Sequence, residues 1–296
     1  MKRLLTEEEI KVINKEEINC FFRSGLAART DLQSPNYERI FSILEMVQDR
    51  FLKFQSNFRS TDYKWAIDAL HWWSRIWEYT YVLHHLIKIK QYNFQNAKIK
   101  VMDFGSGVTF FPFLLHETGF EVTCVDNDAI CVNDIIKAKD FFNFNKLHPI
   151  LSEENKIPLE SSTFDIIYSI SVIEHIAHFE TIIDELRRLL RNDGYIILTF
   201  DIGVDNMSEL KIENFFRFRR ELQNKFQLVQ PEETLHPLDI LYSSNSKYPL
   251  RIERSFKFYL YQAKLLLRSV LQGNLRNFSL RNHKLAVAGM VLKVKK

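Results

Sequence analysis

Hydrophobic and polar positions change their spacing twice along the chain, and these changes divide it into three regions. In the first, from Thr6 to about Lys90, apolar residues recur at helical spacing with few Gly or Pro residues between them. This pattern predicts helices over residues 36–55 and 61–89. Thr6 followed by Glu9 also predicts a capping box, in which the two residues satisfy each other's backbone N–H groups at a helix start.

The second region begins near residue 97, where short β-rich apolar runs alternate with helical segments. The runs predict strands over residues 99–104, 120–125, 148–151, 164–170 and 195–200, and the helices between them span residues 110–117, 129–142 and 174–190. Such alternation is typical of an α/β fold with a doubly wound, parallel sheet covered by helices on both faces. In such a sheet the ligand binds outside the carboxyl ends of the strands, where the strand order reverses.

The third region follows residue 200 and mixes element types. Its pattern predicts a helix over residues 209–224, a strand over 226–229, a polar loop over 231–249, an amphipathic basic helix over 255–272 and a last strand over 284–294. We therefore expect an N-terminal helical extension or lid over residues 1–95. An α/β domain would follow over residues 96–296, with a C-terminal insertion around residues 231–280.

Charge is unevenly distributed, although the net charge of the 296 residues is only +3. Residues 251–296 contain 11 Lys and Arg residues against one acid, Glu253, so the rest of the chain is net negative. The simplest interpretation is a solvated basic face. Because aromatic and aliphatic residues are interleaved with Lys and Arg over residues 255–272, peripheral contact with a membrane surface is an alternative, and contact with RNA is a third.

The three cysteines, Cys20, Cys124 and Cys131, show no spacing typical of a disulfide framework or a metal site, so we predict no metal. Three consecutive glutamates at residues 7–9 argue against a signal peptide. No apolar run is long enough to span a bilayer. We therefore expect a cytoplasmic protein.

A glycine turn joins the first strand of the second region to the following helix. Asp103 stands at the end of the strand, and Gly105 and Gly107 follow with Ser106 between them. Glycine lets the backbone adopt angles denied to other residues and approach a ligand closely. A dinucleotide site has a small residue at the position that Phe110 occupies here. The Asp103 carboxylate would also repel a pyrophosphate. The turn instead suits a ligand that carries a cationic amino group.

The next strand ends in Asp126, about twenty residues after the glycine turn, where nucleotide-binding sheets place an acid that accepts hydrogen bonds from ribose hydroxyls. Asn127 follows directly, and Asp128 is in a position to cap the next helix. Combined with the glycine turn, Asp126 indicates a nucleoside ligand.

Two further stretches complete the pattern. The first contains Ser-Ser-Thr-Phe-Asp at the start of the 164–170 strand and the pair Glu174-His175 after it, and the second contains Glu185-Leu186-Arg187-Arg188. With these motifs, the region from about Lys98 to Phe200 resembles class I S-adenosylmethionine-dependent methyltransferases of the methyltransferase type 11 kind. Two departures, Thr109 for a frequent third glycine and Asn192-Asp193-Gly194 for Pro-Gly-Gly, affect turns rather than chemistry.

This resemblance implies a Rossmann-like doubly wound sheet, mostly parallel with an antiparallel last strand, and S-adenosyl-L-methionine as the cofactor. It also implies where the cofactor binds. The methionine part would lie at Asp103, Gly105 and Gly107 with Ser106, the ribose at Asp126 with Asn127, and the adenine near Glu153 or Glu154. Ser169 and Ile170, just past their strand, would line the site near the reactive methyl group.

Upstream, Trp73, Trp77 and Tyr81 share one helical face, which indicates an aromatic core stripe. The alternative is that this helix closes over the cofactor with Arg75 facing the cofactor's carboxylate. The segment Arg-Ile-Trp-Glu-Tyr that begins at Arg75 is also similar to methyltransferase-like proteins of bacterial polysaccharide clusters.

Methyl transfer needs an acceptor oxygen or nitrogen aligned with the cofactor's methyl group, and a hydroxyl acceptor also needs a base. His175 is the first candidate for that base, with a purely structural histidine as the alternative, and His236 and Asp239 are further candidates. We expect a small-molecule or sugar acceptor, methylated at oxygen or nitrogen, in a pocket walled by the N-terminal helices and residues 231–272. No Asn/Asp-Pro-Pro-aromatic motif follows Tyr168, so nucleic acid is not expected. A lipid acceptor and a non-catalytic cofactor-binding accessory protein are the alternatives.

Overall fold

The computed structural model describes residues 3–15, 21, 23–94, 98–153, 156–204, 210, 212–250, 263, 264, 266, 267, 270 and 285–295. Glu154 and most of the basic helix predicted over residues 255–272 lie outside the described residues.

Seven α-helices and eight strands make up the described part of the chain. The helices are α1 (Glu7–Lys15), α2 (Pro35–Leu52), α3 (Arg75–Asn93), α4 (Phe111–Glu117), α5 (Ala129–Phe142), α6 (Phe179–Leu189) and α7 (Ile212–Lys225). The strands are β1 (Gly25–Leu26), β2 (Lys100–Phe104), β3 (Glu121–Asp126), β4 (Leu147–Leu151), β5 (Phe164–Ile170), β6 (Leu190–Gly203), β7 (Phe226–Leu228) and β8 (Leu285–Val294). Short 3-10 turns lie at Thr30–Gln33, Gln55–Asn57 and Ile173–His175.

One mixed sheet forms the centre of the fold, with the strand order β1-β8-β6-β5-β2-β3-β4 and with β7 also paired to β8. Strands β2 to β6 run parallel, whereas β8 is antiparallel to β6, β1 and β7. The order reverses at β2, which pairs with β3 on one side and β5 on the other. Two buried clusters cover the two faces of the sheet. The predicted Rossmann-like doubly wound sheet with an antiparallel last strand is confirmed, and its switch point lies at the carboxyl end of β2.

The predicted strands and most of the predicted helices agree with the observed elements within a few residues. The capping box is also confirmed, because the Thr6 N–H donates to Glu9 Oε2 over 2.7 Å and the Glu9 N–H donates to Thr6 Oγ1 over 3.2 Å. The helix predicted over residues 174–190 is divided, since a 3-10 turn at Ile173–His175 precedes α6.

The helix predicted over residues 61–89 is wrong in its first half, because the chain is irregular up to residue 74 and α3 begins at Arg75. Asp68 explains part of this difference. Its carboxylate accepts hydrogen bonds from the backbone N–H groups of Leu70 and His71 and from the Gln48 side chain. Such local bonds offer the backbone an alternative to the helical ladder.

The N-terminal region is packed into the sheet rather than beside it. Two residues of it, Gly25 and Leu26, pair with Gly289 and Ala288 of β8. The rings of Trp77 and Tyr81 on α3 stack with their centroids 4.4 Å apart, and the two side chains are almost fully buried. The aromatic stripe is therefore a core stripe, the first of its two interpretations.

Gly289 is the point of closest approach between α3 and the sheet. A Cβ atom at this position would lie 2.7 Å from Trp77 Cη2 and 2.7 Å from Tyr81 Cε1. Carbon atoms do not approach so closely without displacement of the rings.

We expect Gly289→Ala to lower the free energy of unfolding by about 1–3 kcal/mol, since it overpacks this contact. Urea unfolding followed by circular dichroism measures the change. Tyr81→Leu provides the control, because in that background Gly289→Ala should lower the free energy of unfolding by less. Equal costs in the two backgrounds would show that the contact does not limit the approach of α3.

Candidate functional site

The glycine turn after β2 has the backbone geometry that only glycine adopts readily. Gly105 has a φ angle of +76° and Gly107 one of +50°. The Gly105 N–H donates to the Val125 carbonyl over 2.8 Å, which ties the turn to β3. A side chain at Gly105 would also collide with Val172, the second residue after β5. The turn is thus fixed by both neighbours of β2 at the switch point.

Asp103 lies directly below this turn and is only 5 % exposed. Burial raises the pKa of its carboxyl group to about 7. The neighbouring Tyr168 hydroxyl lowers that pKa, and the Asp126 carboxylate raises it. Within the described structure the Tyr168 hydroxyl makes no hydrogen bond of ordinary geometry. Asp103 is therefore a buried acid that a positively charged ligand would stabilise in its ionised form.

Asp126, at the end of β3, shapes the turn from the other side. Its Oδ2 accepts the Gly107 N–H over 2.8 Å, and its Oδ1 accepts the Asp128 N–H over 2.9 Å. Burial raises the pKa of this carboxyl group, and the two backbone donors lower it. Asp128 in turn accepts the Ile130 N–H over 2.9 Å, which confirms it as the cap of α5.

Residues 58–65, here called the roof segment, cross above the turn. The Arg59 side chain donates to the Val108 carbonyl over 2.9 Å, and the Val108 N–H donates to the Tyr63 hydroxyl over 3.2 Å. The Trp65 indole lies beside the Cys131 thiol on α5 and is 61 % exposed. No local signal marks this segment, because residues 61–65 fall within the helix predicted over residues 61–89.

The remaining predicted cofactor residues occupy different environments. Ser106 is 4 % exposed, and its hydroxyl has no hydrogen-bond partner in the described structure. Asn127 and Glu153 are exposed, and Glu153 forms a backbone bridge with Lys156. Ser169 is fully buried, where its hydroxyl donates to the Phe104 carbonyl over 2.9 Å and so ties β5 to β2. These positions lie along the carboxyl ends of β2, β3, β4 and β5.

The Glu185–Arg188 motif on α6 has a structural explanation. The Arg188 guanidinium pairs with the Glu185 carboxylate over 2.6 Å and donates to the carbonyls of Ile157 and Leu159. The Glu185 carboxylate also accepts the Ile157 N–H over 2.9 Å. The ion pair therefore anchors the loop that leads into β5.

A second polar cluster lies beyond the ends of β5 and β6. Arg75, the first residue of α3, donates to the Ile170 carbonyl over 2.8 Å and lies 3.7 Å from the Glu78 carboxylate. The Ser171 hydroxyl donates to both oxygens of Glu78, at 2.8 and 2.9 Å. Glu174 Oε1 accepts the Asp201 N–H over 3.2 Å. We call Arg75, Glu78, Glu174 and Asp201 the edge cluster. Two of its acids, Glu78 and Glu174, stand in short sequence motifs, but the sequence predicts no role for any of the three.

The charges in the edge cluster are unbalanced, since three carboxyl groups surround one guanidinium. Burial raises the pKa of Glu174, and the charge of Glu78 raises it further, while His175 and Arg75 lower it. Burial likewise raises the pKa of Asp201 well above its ordinary value, and Glu174 and Glu78 add to this. Burial lowers the pKa of Arg75, but the surrounding acids raise it more, so Arg75 stays charged. The cluster therefore retains at least one proton near neutral pH.

The glycine turn with Asp103 and Asp126, here called the cofactor half, adjoins the edge cluster. Tyr79 on α3 lies near both, because the charges of Arg75 and Glu78 and that of Asp103 all act on the pKa of its hydroxyl group. Ser171, between the two halves, has a φ angle of +47°, a strained conformation for a residue with a side chain. The carboxyl edge of the sheet thus carries one continuous line of polar groups.

His175, the base suggested by the sequence, is exposed, whereas its neighbour Glu174 is 6 % exposed and belongs to the edge cluster. The role of His175 stays a prediction. Arg75 is held by Ile170 and Glu78. Asp239 accepts hydrogen bonds from the Thr30 N–H and hydroxyl, so it ties two loops together. His236 accepts the Leu238 N–H over 3.3 Å within the same loop.

The methyltransferase domain family Methyltransf_11 matches residues 102–198, a span that contains the glycine turn, Asp126 and the strands on either side of the switch point. The chain is an S-adenosylmethionine-dependent methyltransferase. Its residues fit the cofactor, because the buried acid Asp103 suits an ammonium group and the buried Ser106 hydroxyl retains hydrogen-bonding capacity. The match leaves the methyl acceptor open.

Solved structures are similar to this chain at low sequence identity, and one of them reaches a TM-score of 0.50, which indicates a shared fold. The [4+2]-cyclase SpnF is 11% identical with a TM-score of 0.50, covering 92% of this chain and 98% of its own. A SAM-dependent methyltransferase from Aquifex aeolicus is 15% identical with a TM-score of 0.43, covering 70% of this chain and 88% of its own. A TehB-like SAM-dependent methyltransferase from Corynebacterium glutamicum is 16% identical with a TM-score of 0.38, covering 66% of this chain and 81% of its own. A search of curated proteins found no significant match.

A cyclase among these structures shows that likeness in fold does not set the reaction. Among the described residues, no helix combines the length and hydropathy that a bilayer crossing requires.

The raised pKa of Asp103 can be tested without any ligand. We expect its carboxyl carbon to titrate near pH 7 in NMR spectra of the free protein. Asp126→Asn should lower this pKa, because it removes a nearby negative charge, and Tyr168→Phe should raise it, because it removes the nearby hydroxyl. Titration of Asp103 in the ordinary carboxyl range would contradict the burial that the structure describes.

Proposed function

We propose that this methyltransferase transfers the methyl group of S-adenosylmethionine to an oxygen or nitrogen of a small polar molecule or a carbohydrate. The observation that supports this acceptor class is the edge cluster, which adjoins the glycine turn and lines the end of β5 with carboxyl groups and a guanidinium. Such groups recognise hydroxyl and amino groups by hydrogen bonds. An apolar acceptor would leave these buried polar groups without partners, at a cost in binding free energy.

The cofactor's methionine part would lie against the glycine turn. In this proposal Asp103 pairs with the ammonium group, Ser106 and the flanking glycines bind through the turn, and Asp126 with Asn127 binds the ribose. The carboxylate oxygens of Asp126 each hold one backbone N–H and retain capacity for a second donor. Glu153, an exposed residue after β4, would lie near the adenine.

Arg75 is better explained by the edge cluster than by the cofactor's carboxylate. Its guanidinium already bonds to the Ile170 carbonyl and pairs with Glu78. This bond brings α3 into contact with the end of β5, which supports the N-terminal region as one wall of the acceptor pocket. In the described part of residues 231–272, the Ser246 hydroxyl donates to the Trp73 carbonyl over 2.8 Å and so contacts the chain just before α3.

The cofactor's sulfonium supplies an activated methyl group. What remains for the protein is to hold the acceptor atom about 3 Å from that group, in line with the bond that breaks, and to exclude water. The roof segment covers the cofactor side, and the first turn of α3 borders the acceptor side. The edge cluster would orient the acceptor between them.

One observation favours a second candidate, an acceptor at a membrane surface. Leu266, Leu267 and Val270 are 41 %, 67 % and 50 % exposed, and Lys264 is exposed beside them. Exposed aliphatic residues flanked by basic ones suit the interface of a bilayer.

Methyl transfer can be measured as release of S-adenosylhomocysteine from S-adenosylmethionine. We expect turnover with methyl glycosides, amino sugars or short polyols, and a methylated product by mass spectrometry. Asp103→Asn should abolish turnover through loss of cofactor affinity, whereas Glu180→Gln, on the exposed face of α6, should not change it.

Transfer to phospholipid vesicles but not to polar small molecules would favour the membrane-surface candidate. Tight cofactor binding with no transfer to either class would favour a non-catalytic accessory protein.

The roof segment predicts a spectroscopic signal. Because Trp65 is exposed and lies next to Cys131 beside Asp126, a bound nucleoside should alter its environment. We expect S-adenosylhomocysteine to change the tryptophan fluorescence, and Trp65→Phe to remove most of that change. Trp72→Phe, which replaces another exposed tryptophan, is the matched control and should retain it. A signal that persists in Trp65→Phe and disappears in Trp72→Phe would place the nucleoside elsewhere.

A further inference from the structure

Two carboxylate oxygens in the edge cluster have no hydrogen-bond partner within the described structure, Glu174 Oε2 and Asp201 Oδ1. Both atoms are inaccessible to solvent, and Glu174 as a whole is 6 % exposed. A buried polar atom without a partner costs free energy of about 1–3 kcal/mol, and more when it is charged. Each such atom in a native protein calls for an explanation, such as a bound water, a ligand or a catalytic role.

The position of these oxygens is defined by strand geometry. Glu174 follows β5, and Asp201 lies in β6, which is the parallel neighbour of β5. The backbone N–H of Asp201 donates to Glu174 Oε1, which holds the two residues next to each other, and Glu174 Oε2 and Asp201 Oδ1 stay without a hydrogen bond in the described structure. Tyr79 connects this place to Asp103 and therefore to the glycine turn.

We propose that Glu174 Oε2 and Asp201 Oδ1 bind the hydroxyl group of the methyl acceptor, with Glu174 as the general base and Asp201 as a positioning residue. This inference rests on the proposed function and narrows it to O-methylation of an alcohol or sugar. It also replaces the exposed His175 with its buried neighbour as the base.

The surroundings favour a neutral hydroxyl over an ammonium group. Arg75 balances the charge of Glu78, so the carboxyl groups of Glu174 and Asp201 are left to bind the acceptor. Carboxylates beside an amine would stabilise its protonated form, which has no electron pair for attack, whereas a hydroxyl group stays neutral there. No three of the described His, Cys, Asp and Glu side chains are arranged to hold a metal ion, so these acids are not explained as metal ligands.

The step balances in atoms and electrons. The acceptor oxygen forms a bond to the methyl carbon as the bond between that carbon and the cofactor's sulfur breaks, and the sulfur keeps the electron pair. The acceptor's O–H bond breaks, and its proton passes to Glu174 Oε2. Around Glu174, the other ionisable groups are Arg75, Glu78 and Tyr79 from α3, the adjacent His175, and Asp201 from β6.

Glu174 must be ionised to accept the proton, so kcat should rise with pH and reach a plateau. Because burial and Glu78 raise its pKa, the rise should occur above the ordinary carboxyl range. The test uses the full chain with S-adenosylmethionine and two matched probe sets: methyl hexopyranosides, and the corresponding 2-amino-2-deoxy sugars.

With the hydroxyl probes, Glu174→Gln should lower kcat by about 10²–10⁴-fold and remove the pH-dependent rise. Asp201→Asn should act mainly on KM, which should increase about tenfold, because it weakens one hydrogen bond to the acceptor. His175→Gln tests the rival base, and Glu180→Gln is the matched surface control. All four variants should bind S-adenosylhomocysteine with unchanged affinity in calorimetry.

A second readout needs no turnover. In the complex with S-adenosylhomocysteine, the carboxyl carbon of Glu174 should titrate above the ordinary range in NMR spectra, and titration within that range overturns the proposal. Loss of activity in His175→Gln with retention in Glu174→Gln also overturns it. Methylation of amino probes alone overturns the inference but leaves the proposed function intact. Transfer to neither set, with normal cofactor binding, counts against both.

Discussion

The arrangement of side chains at the carboxyl edge of the sheet depends on one guanidinium, that of Arg75, which several groups share. Arg75 lies among three buried carboxyl groups, bonds to the last carbonyl of β5 and stays charged because the acids around it outweigh the cost of its burial. The same bond fixes the start of α3, and therefore the position of the aromatic side chains further along that helix. The packing of the N-terminal region on the sheet and the polarity of the site are in this way consequences of a single ion network.

The two halves of the site suit ligands of different charge. On the cofactor side, Asp103 is buried with an elevated pKa, which suits a cationic partner. On the acceptor side, the carboxyl groups of Glu174 and Asp201 also have elevated pKa values, and Arg75 balances the charge of Glu78. Carboxylates there would hold an amine in its protonated form, so the acceptor side suits a neutral hydroxyl group.

Much of the fold could be predicted from local sequence patterns. The strands from Lys100 to Gly203, the capped start of α5 at Asp128 and the capping box at Thr6 follow from periodicity and capping chemistry, which act within a few residues. The family motif located the glycine turn for the same reason. Strand β1 is two residues long and pairs with β8, so no local signal marks it. The irregular chain before α3 was missed because its hydrogen bonds involve a distant partner, Gln48.

The edge cluster could not be predicted because its members come from three separate parts of the chain. Glu78 and Glu174 stand in short motifs and Asp201 stands alone, and none of the three has a local signal that predicts burial beside the others. The structure brings them together where β5 and β6 end.

The pairing of β8 has a consequence for the order in which the protein is made. Strand β8 pairs with β6, β1 and β7 through residues 285–294, so these three pairings can form only after residues 285–294 have been translated. Gly25 pairs with Gly289, a separation of more than 260 residues, which makes this contact slow to form. Until residues 285–294 leave the ribosome, the edge of β6 has no partner there, and the nascent chain depends on that segment to cover an open, aggregation-prone strand.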